Sequence, residues 1–438
     1  MPGALPLLLL ATLAQAPAVS DAGEVEGPLH LRAALELTAG AEPPPATGAL
    51  QDGAFVSVLP LLALDGGEAL GLEVGAPLRL RLQGATDGSG TRAGGLRRED
   101  WDERSDFGQL LRELRLGAPD GALSLRAGPL PLATLGQGRL VSRYANTLAA
   151  DYHPAGASAA LHAGPVRVEA LASDVLALRL LAAEARVDLA RALGAGAGAW
   201  ERVHAAASLA YDGGRAHGRT AALSAGAVDL DAAVYRGARA QLWALAGVGA
   251  RLDATGGTGA ALGLALEAQP RALAVGAKVE LRRQAGGFRH GLFGADLELA
   301  RFSATGLAEA PLSGQLLPPG YAGYAELHLA TGDAEGEAAE TGRLGLSLAA
   351  EHFAFGRTDV DASLLLQLPG GRASATLRAL ATDLGERPRY ALQAEARVRL
   401  APALYAVASG GTVHTPTAAG VLTRGLYAAA GLGLDFAR

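Results

Sequence analysis

The sequence predicts an all-β fold, a transmembrane antiparallel up-and-down β-barrel of about 16–20 strands. Three observations lead to this prediction. Apolar and polar residues alternate with a period of two along most of the chain, turn-forming residues separate the alternating stretches, and no apolar stretch reaches the roughly 20 residues that a membrane helix requires. Of the 438 residues, 50% are hydrophobic and 19% are charged, which excludes an intrinsically disordered chain.

The alternation is clearest in the stretch 272–282. Leu273 and Val279 fall on one parity, whereas Lys278 and Glu280 fall on the other. On a helix Lys278 and Glu280 would lie on nearly opposite sides, but on a strand they share one face, so a strand is predicted. The same alternation recurs in the stretches 29–38, 78–82, 184–189, 326–329, 343–348, 359–367 and 389–400.

The two faces of these strands indicate a membrane barrel rather than a soluble sandwich. The apolar face is rich in Ala and Leu, whereas the core of a sandwich needs larger side chains that interdigitate. The other face mixes Gly, Ala and Ser with Arg, Glu and Asp, as expected for a water-filled interior. Closure into a barrel also gives every strand edge a partner where lipid offers no hydrogen bonds.

The N-terminal residues predict a signal peptide over positions 1–20. A short apolar core, Leu7–Ala14, precedes the Ala-rich stretch 14–18, and we expect cleavage between Ala18 and Ala22. The alternating pattern then continues from about Leu29 to the end of the sequence without a shift in composition. Residues 21–438 are therefore expected to form a single barrel domain.

Composition limits the classes of function. The formal net charge of −6, from 38 basic and 44 acidic residues, argues against a nucleic-acid partner. Cysteine is absent, which excludes disulfide frameworks, thiolate metal sites and cysteine nucleophiles. The chain is rich in residues with GC-rich codons, so its 8 Phe and 9 Tyr reflect codon bias and do not argue against a barrel.

The last predicted strand carries a resemblance to a known class of proteins. Leu426, Leu432, Leu434 and Phe436 alternate with small and polar residues, and Ala437-Arg438 follow. On this pattern the chain resembles the outer-membrane β-barrel proteins of Gram-negative bacteria, which commonly end in an amphipathic strand closing on an aromatic residue. The resemblance implies a location in the outer membrane of a Gram-negative bacterium. It also implies contact with outer-membrane lipid, and with the barrel-assembly machinery during biogenesis.

Two functions fit such a barrel. The first is a porin-like channel for the diffusion of small polar solutes, since a barrel of this size leaves an aqueous lumen. The second is a barrel occluded by its own loops, which serves ligand binding, surface structure or the transport of apolar compounds. An enzyme is not expected: none of the 9 His lies in a G-x-S-x-G or H-E-x-x-H motif, and we predict no catalytic residue, cofactor or metal.

Two sets of candidate site residues follow from the pattern. The polar parity predicts a channel lining formed by Arg79, Arg81, Arg186, Lys278, Glu280, Arg282, Asp359, Asp361, Glu395, Arg397 and Arg399. Both signs of charge are present, so we expect modest ion selectivity. Two irregular stretches are candidates for a constriction or ligand loop, and they contribute Asp100, Trp101, Asp102, Arg143, Tyr144 and Asn146. The alternatives are a solvated outer loop for the first stretch and packing against the wall for the second.

Overall fold

The computed structural model describes residues 29–41, 53–67, 69–82, 94–97, 100–101, 103–119, 121–148, 153–194, 202–213, 215–216, 219–220, 222–270, 272–302, 317–331, 342–385, 388–416 and 422–437. The predicted signal peptide lies outside these ranges, as does the predicted site residue Asp102.

Twenty antiparallel strands form one closed barrel, which confirms the predicted fold class. Each strand pairs with its neighbours along the chain, and the first strand also pairs with the last, so that the sheet closes on itself. The strands are β1 His30–Ala41, β2 Ala54–Asp65, β3 in two pieces (Leu70–Val74 and Leu78–Arg81), β4 Leu111–Leu116, β5 Leu123–Gly128, β6 Gly156–Ala163, β7 Val166–Ala172, β8 Leu180–Asp188, β9 Val203–Asp212, β10 Leu223–Arg236, β11 Ala240–Arg251, β12 Gly257–Ala268, β13 Leu273–Gly286, β14 Gly320–Thr331, β15 Arg343–Phe353, β16 Thr358–Gln367, β17 Ala373–Leu384, β18 Arg389–Ala401, β19 Leu404–Pro416 and β20 Leu422–Ala437.

Strand β3 is interrupted, but its two pieces keep the same pairing register with β2. Pro77 has no backbone N–H to donate to the ladder, and the strand is broken just before it. Leu62 of β2 still faces Val74, and Val58 faces Leu78, so the two pieces keep one register. The side chains of both pieces therefore keep the same alternation between the two faces.

The outward face of the barrel is an apolar belt. On β13 Val279 and Leu281 are 54% and 60% exposed, whereas the alternating Glu280 and Arg282 are buried on the inner face. We call the end of the barrel where β1 begins and β20 finishes the lower end, and the opposite one the upper end. Exposed aromatic rings occur near both ends, with Tyr211, Tyr321 and Tyr390 at the upper end and Tyr235 and Phe436 at the lower end. Such rings at the two borders of an apolar belt are typical of membrane barrels.

Helices are few and short. They are α1 Leu189–Ala192 and α2 Leu297–Phe302, with 3₁₀ turns at Arg104–Leu110 and Pro369–Gly371. In the described ranges no helix has the length and apolar character needed to cross a membrane.

Candidate functional site

Two segments of the chain enter the barrel from its upper end. The first inner segment (residues 129–148) follows β5, and the second inner segment (residues 287–302) follows β13. They meet in a short parallel pairing between Val141–Ser142 and Phe293–Gly294. Apolar side chains of both segments form a buried cluster with inward residues of β7–β10: Leu135, Leu140, Val141, Tyr144, Phe288 and Phe293 pack with Leu171, Leu180, Ala210, Leu223 and Ala225.

Glycines on the inner face of the wall make room for the second inner segment. A Cβ atom on Gly249 of β11 would overlap the ring of Phe288. A Cβ atom on Gly259 of β12 would lie 2.6 Å from Phe288 Cδ1 and 2.9 Å from His290 Nε2, closer than real Cβ contacts come. The absence of side chains at Gly249 and Gly259 therefore leaves the space that Phe288 and His290 occupy.

Arg139 anchors the first inner segment to the wall. Its guanidinium donates to Asp229 of β10 at 2.9 Å and to Glu280 of β13 at 3.3 Å, and its side chain is only 1% exposed. Gly247 of β11 lies next to this contact, where a Cβ atom would lie 2.7 Å from Arg139 Nε. A buried charge is stable only when it is paired, and here two carboxylates supply the pairing.

Arg143 makes a second anchor, to the neighbouring strands β14–β16 of the wall. Its Nε donates to Asp361 of β16 at 2.9 Å, and its Nη1 donates to Glu326 of β14 at 3.2 Å and to Ser347 of β15 at 2.5 Å. Burial alone would lower the pKa of Arg143, but the two carboxylates raise it above its ordinary value. The backbone of Arg143 has φ +55°, a conformation that is uncommon for a residue with a side chain and that the surrounding contacts hold in place.

Further contacts tie the two inner segments to each other and to the wall. The Tyr144 hydroxyl donates to Glu298 at 2.6 Å. The Asn146 side chain accepts from the Leu130 N–H and donates to the Ser173 carbonyl, both at 2.8 Å, so it fixes the loop and does not face the lumen. Gln393 of β18 donates to the Thr147 carbonyl at 2.7 Å. Arg143, Tyr144 and Asn146 therefore pack and pair inside the barrel, and their role as a constriction or ligand contact stays a prediction.

The second inner segment carries its own buried charges. Arg289 donates to both carboxylate oxygens of Asp296, at 2.6 and 3.1 Å, and Arg357 approaches the same carboxylate at 3.5 Å. Burial, followed by the nearby Arg282 and Arg139, lowers the pKa of His290 to about 3, so its imidazole is neutral at physiological pH. A half-open cavity of about 70 Å³ remains between the two segments and the wall, large enough for only a few waters.

Asp100 and Trp101 of the charged stretch also turn inward. Asp100 is fully buried and accepts from Arg79 at 3.0 Å, with Arg97 at 3.6 Å. The Trp101 ring packs edge-on against Phe107 at 5.6 Å between centroids. Asp100 is therefore buried and does not belong to a solvated outer loop.

The structure places the predicted lining residues in two different settings. Lys278, Glu280, Arg282 and Asp361 lie beneath the inner segments, on what we call the covered wall, strands β7–β17. Outside it, Arg79 lies against Asp100, and Arg397 of β18 is paired with Glu36 and Glu395. Arg186, paired with Asp231, and Asp359, paired with Arg357, also lie on strands of the covered wall. Arg81 lies on β3, and Arg399 lies beside Arg32 and Asp435 near the lower end.

Sequence reasoning missed the residues that hold the inner segments in place. Arg139, Asp229 and His290 attract no attention as single residues, because their partners lie far away in the sequence. The glycines at the inward positions 249 and 259 are a signal in the sequence for such a segment. Inner-wall positions without side chains leave space for another part of the chain to pack there.

The closed barrel, the apolar belt and the aromatic rings at both ends define the class of this protein: it is an outer-membrane β-barrel with a polar interior. No model of a known protein family matches the chain, and no curated protein sequence matches it. Among solved structures it is similar to the outer membrane protein opdK from Pseudomonas aeruginosa, with 9% identity, 94% of this chain and 99% of that chain covered, and a TM-score of 0.36.

Two other solved structures show a comparable likeness. A BenF-like porin from Pseudomonas fluorescens is 10% identical, with 94% of this chain and 99% of that chain covered and a TM-score of 0.34. CdiB from Acinetobacter baumannii is 8% identical with a TM-score of 0.29, and the alignment covers 93% of this chain but spans only 60% of CdiB.

Proposed function

We propose that this protein is a porin-like channel through which small polar solutes diffuse across the outer membrane. The observation that carries the proposal is the arrangement inside the barrel. Two inner segments are fixed to one side of a polar lumen by buried arginine–carboxylate pairs, such as Arg143 with Asp361 for the first and Asp296 with Arg357 for the second. A barrel of 20 strands is wide enough to leave an aqueous passage beside them.

The passage runs along the wall that the inner segments do not cover. We call strands β19, β20 and β1–β5 the uncovered wall. Two of its charged side chains, Glu113 and Arg115, are 28% and 24% exposed, whereas Arg139 and Glu280 on the covered side are 1% and 0% exposed. Water reaches the first pair and not the second, so solutes are expected to follow the first.

The inner segments narrow the lumen, and this narrowing sets the size of the solutes that pass. Liposome swelling with the refolded protein tests the proposal, using sugars of increasing size as solutes. We expect rapid swelling with small monosaccharides and a steep fall for larger oligosaccharides. Vesicles that do not swell with any solute would contradict a diffusion channel.

A barrel that its own loops occlude remains a second candidate, and one observation favours it. Arg139, Arg143 and Arg282 are almost completely buried, so the covered half of the lumen is filled with protein. Planar-bilayer recordings separate the two functions, because a steady open current requires a continuous water path. Neither function assigns a catalytic role to this protein. In both, lipid surrounds the apolar belt, and the barrel-assembly machinery recognises the last strand at Phe436.

A further inference from the structure

Arg126 on β5 differs from the other arginines of the lumen. Its neighbours Leu123 and Leu125 point outward on the opposite parity, so Arg126 faces the interior. Within the described ranges its guanidinium has no hydrogen bond and no carboxylate within ion-pair distance, although part of it is exposed. By contrast Arg139, Arg143 and Arg282 each contact two carboxylates.

Hydrogen-bond donors surround Arg126 on the inner face, and the nearby carboxylate of Glu113 is paired with Arg115 at 3.4 Å. The sheet register places Arg115 of β4 directly opposite it on one side and Ser158 of β6 directly opposite on the other. Ser124 lies two positions earlier on the same strand and shares its face. Two guanidinium groups and two hydroxyls thus share one patch of the wall, which suits a ligand with oxygen acceptors.

Arg115 is held on the side of β4 that lies away from Arg126. It donates to Asp65 at 3.2 Å and to the Gly67 carbonyl at 3.1 Å. Its guanidinium lies over Gly71 of β3, where a Cβ atom would approach Arg115 Nη2 to 2.9 Å. Like charges placed directly opposite each other destabilise a sheet, and this tether reduces that repulsion while it leaves Arg126 free to bind.

We propose that Arg126, flanked by Ser124 and Ser158, is a binding station for small oxyanions, carboxylate or phosphate, on the uncovered wall. The proposal rests on the channel function, because the station lies beside the passage that solutes follow. A planar oxyanion accepts two parallel N–H donations from a guanidinium and one from each hydroxyl nearby. The station would raise the local concentration of anionic solutes inside the channel.

Isothermal titration of the refolded full-length protein in detergent tests this, with sodium phosphate and sodium acetate as separate probes at constant ionic strength. We expect R126Q to weaken binding about tenfold, the factor that corresponds to roughly 1.4 kcal/mol. R397Q is the matched control, because it removes a lumen-facing positive charge that Glu36 and Glu395 already neutralise. We expect R397Q to change the affinity less than about threefold.

The two probes and two further measurements separate the outcomes. Binding of phosphate alone, acetate alone or both supports the station and identifies its ligand class. Equal affinity in wild type and R126Q, or an equal loss in R397Q, overturns it. Heat-modifiable gel mobility shows that R126Q is folded, and S158A supplies a second variant, for which we expect about two- to threefold weaker binding. Current without anion binding overturns the station alone, whereas binding without current overturns the channel alone.

Discussion

The covered and uncovered walls of this barrel follow the same alternation in sequence but differ in what their charges do. On the covered wall Glu280 and Asp361 are buried and fix the first inner segment through Arg139 and Arg143. On the uncovered wall Arg115 and Glu113 stay partly exposed to the lumen. The difference teaches that inward parity identifies the inner face of a barrel, whereas burial decides which part of that face lines a passage.

The largest expected effect comes from removing a charge on the covered wall. R143M removes the buried cation that contacts both Asp361 and Glu326, which keep longer contacts with Arg378 at 3.5 Å and with Lys278 at 3.4 Å. We expect it to lower the free energy of unfolding by about 3 kcal/mol. R115M on the uncovered wall removes two partly exposed ion pairs, with Asp65 and with Glu113, and is expected to cost about 1 kcal/mol or less. Urea unfolding in lipid vesicles measures both. Equal losses would mean that the two walls do not differ.

A smaller effect is expected from adding one carbon atom to the covered wall. In G249A the new Cβ overlaps the ring of Phe288, and we expect a loss of about 1–3 kcal/mol because the inner segment must shift. G276A is the matched control, since its Cβ has the ordinary distance of 3.6 Å to the nearest atom, the Cβ of His328. The same unfolding assay compares them. If G276A is as destabilised as G249A, the close packing of Phe288 against Gly249 does not explain the loss.

Acid is expected to weaken the protein through two buried histidines of its loops. Burial, followed by the nearby arginines, lowers the pKa of His153 and of His290 to about 3 each. The unfolded chain takes up these protons near pH 6.5, so between about pH 6.5 and 3 the unfolded state binds more protons and stability falls as the pH falls. Each group contributes at most about 1.4 kcal/mol per pH unit. We expect H290Q to have a shallower pH dependence than wild type, and an unchanged slope would contradict the neutral, buried imidazole.

The smallest effect concerns ion selectivity. Changing Arg397 and Arg399 to Ser leaves Glu36 and Glu395 without their cation near the lower end of the barrel. We expect modest selectivity in the wild type and a shift toward cations in the double variant, seen as a change in reversal potential across a salt gradient. An unchanged reversal potential in a conducting channel would place these arginines outside the passage.

The strands were predictable because each one carries its own signal. Leu273 to Arg282 alternates so regularly that the inward positions of Lys278 and Glu280 follow from parity alone. The closing strand was predictable for the same reason, and its aromatic Phe436 lies on the outward face at the lower end.

The inner segments were not predictable in the same way. Their stability depends on pairs that are far apart in sequence, such as Arg139 with Asp229 at a separation of 90 residues and Arg143 with Asp361 at 218. No local pattern specifies such contacts, because the sequence around an arginine in an irregular loop does not indicate whether its side chain lies in water or inside the barrel. The predicted lining therefore grouped covered and exposed charges together.

One measurement tests the central claim that the first inner segment fills one side of an open barrel. Residues 132–146 are replaced by a short Gly-Ser linker, and single-channel conductance is compared with that of the wild type, after heat-modifiable mobility has shown that the barrel is intact. Removing the segment uncovers the polar wall beneath it, so we predict a severalfold larger conductance. An intact barrel with unchanged conductance would contradict the account.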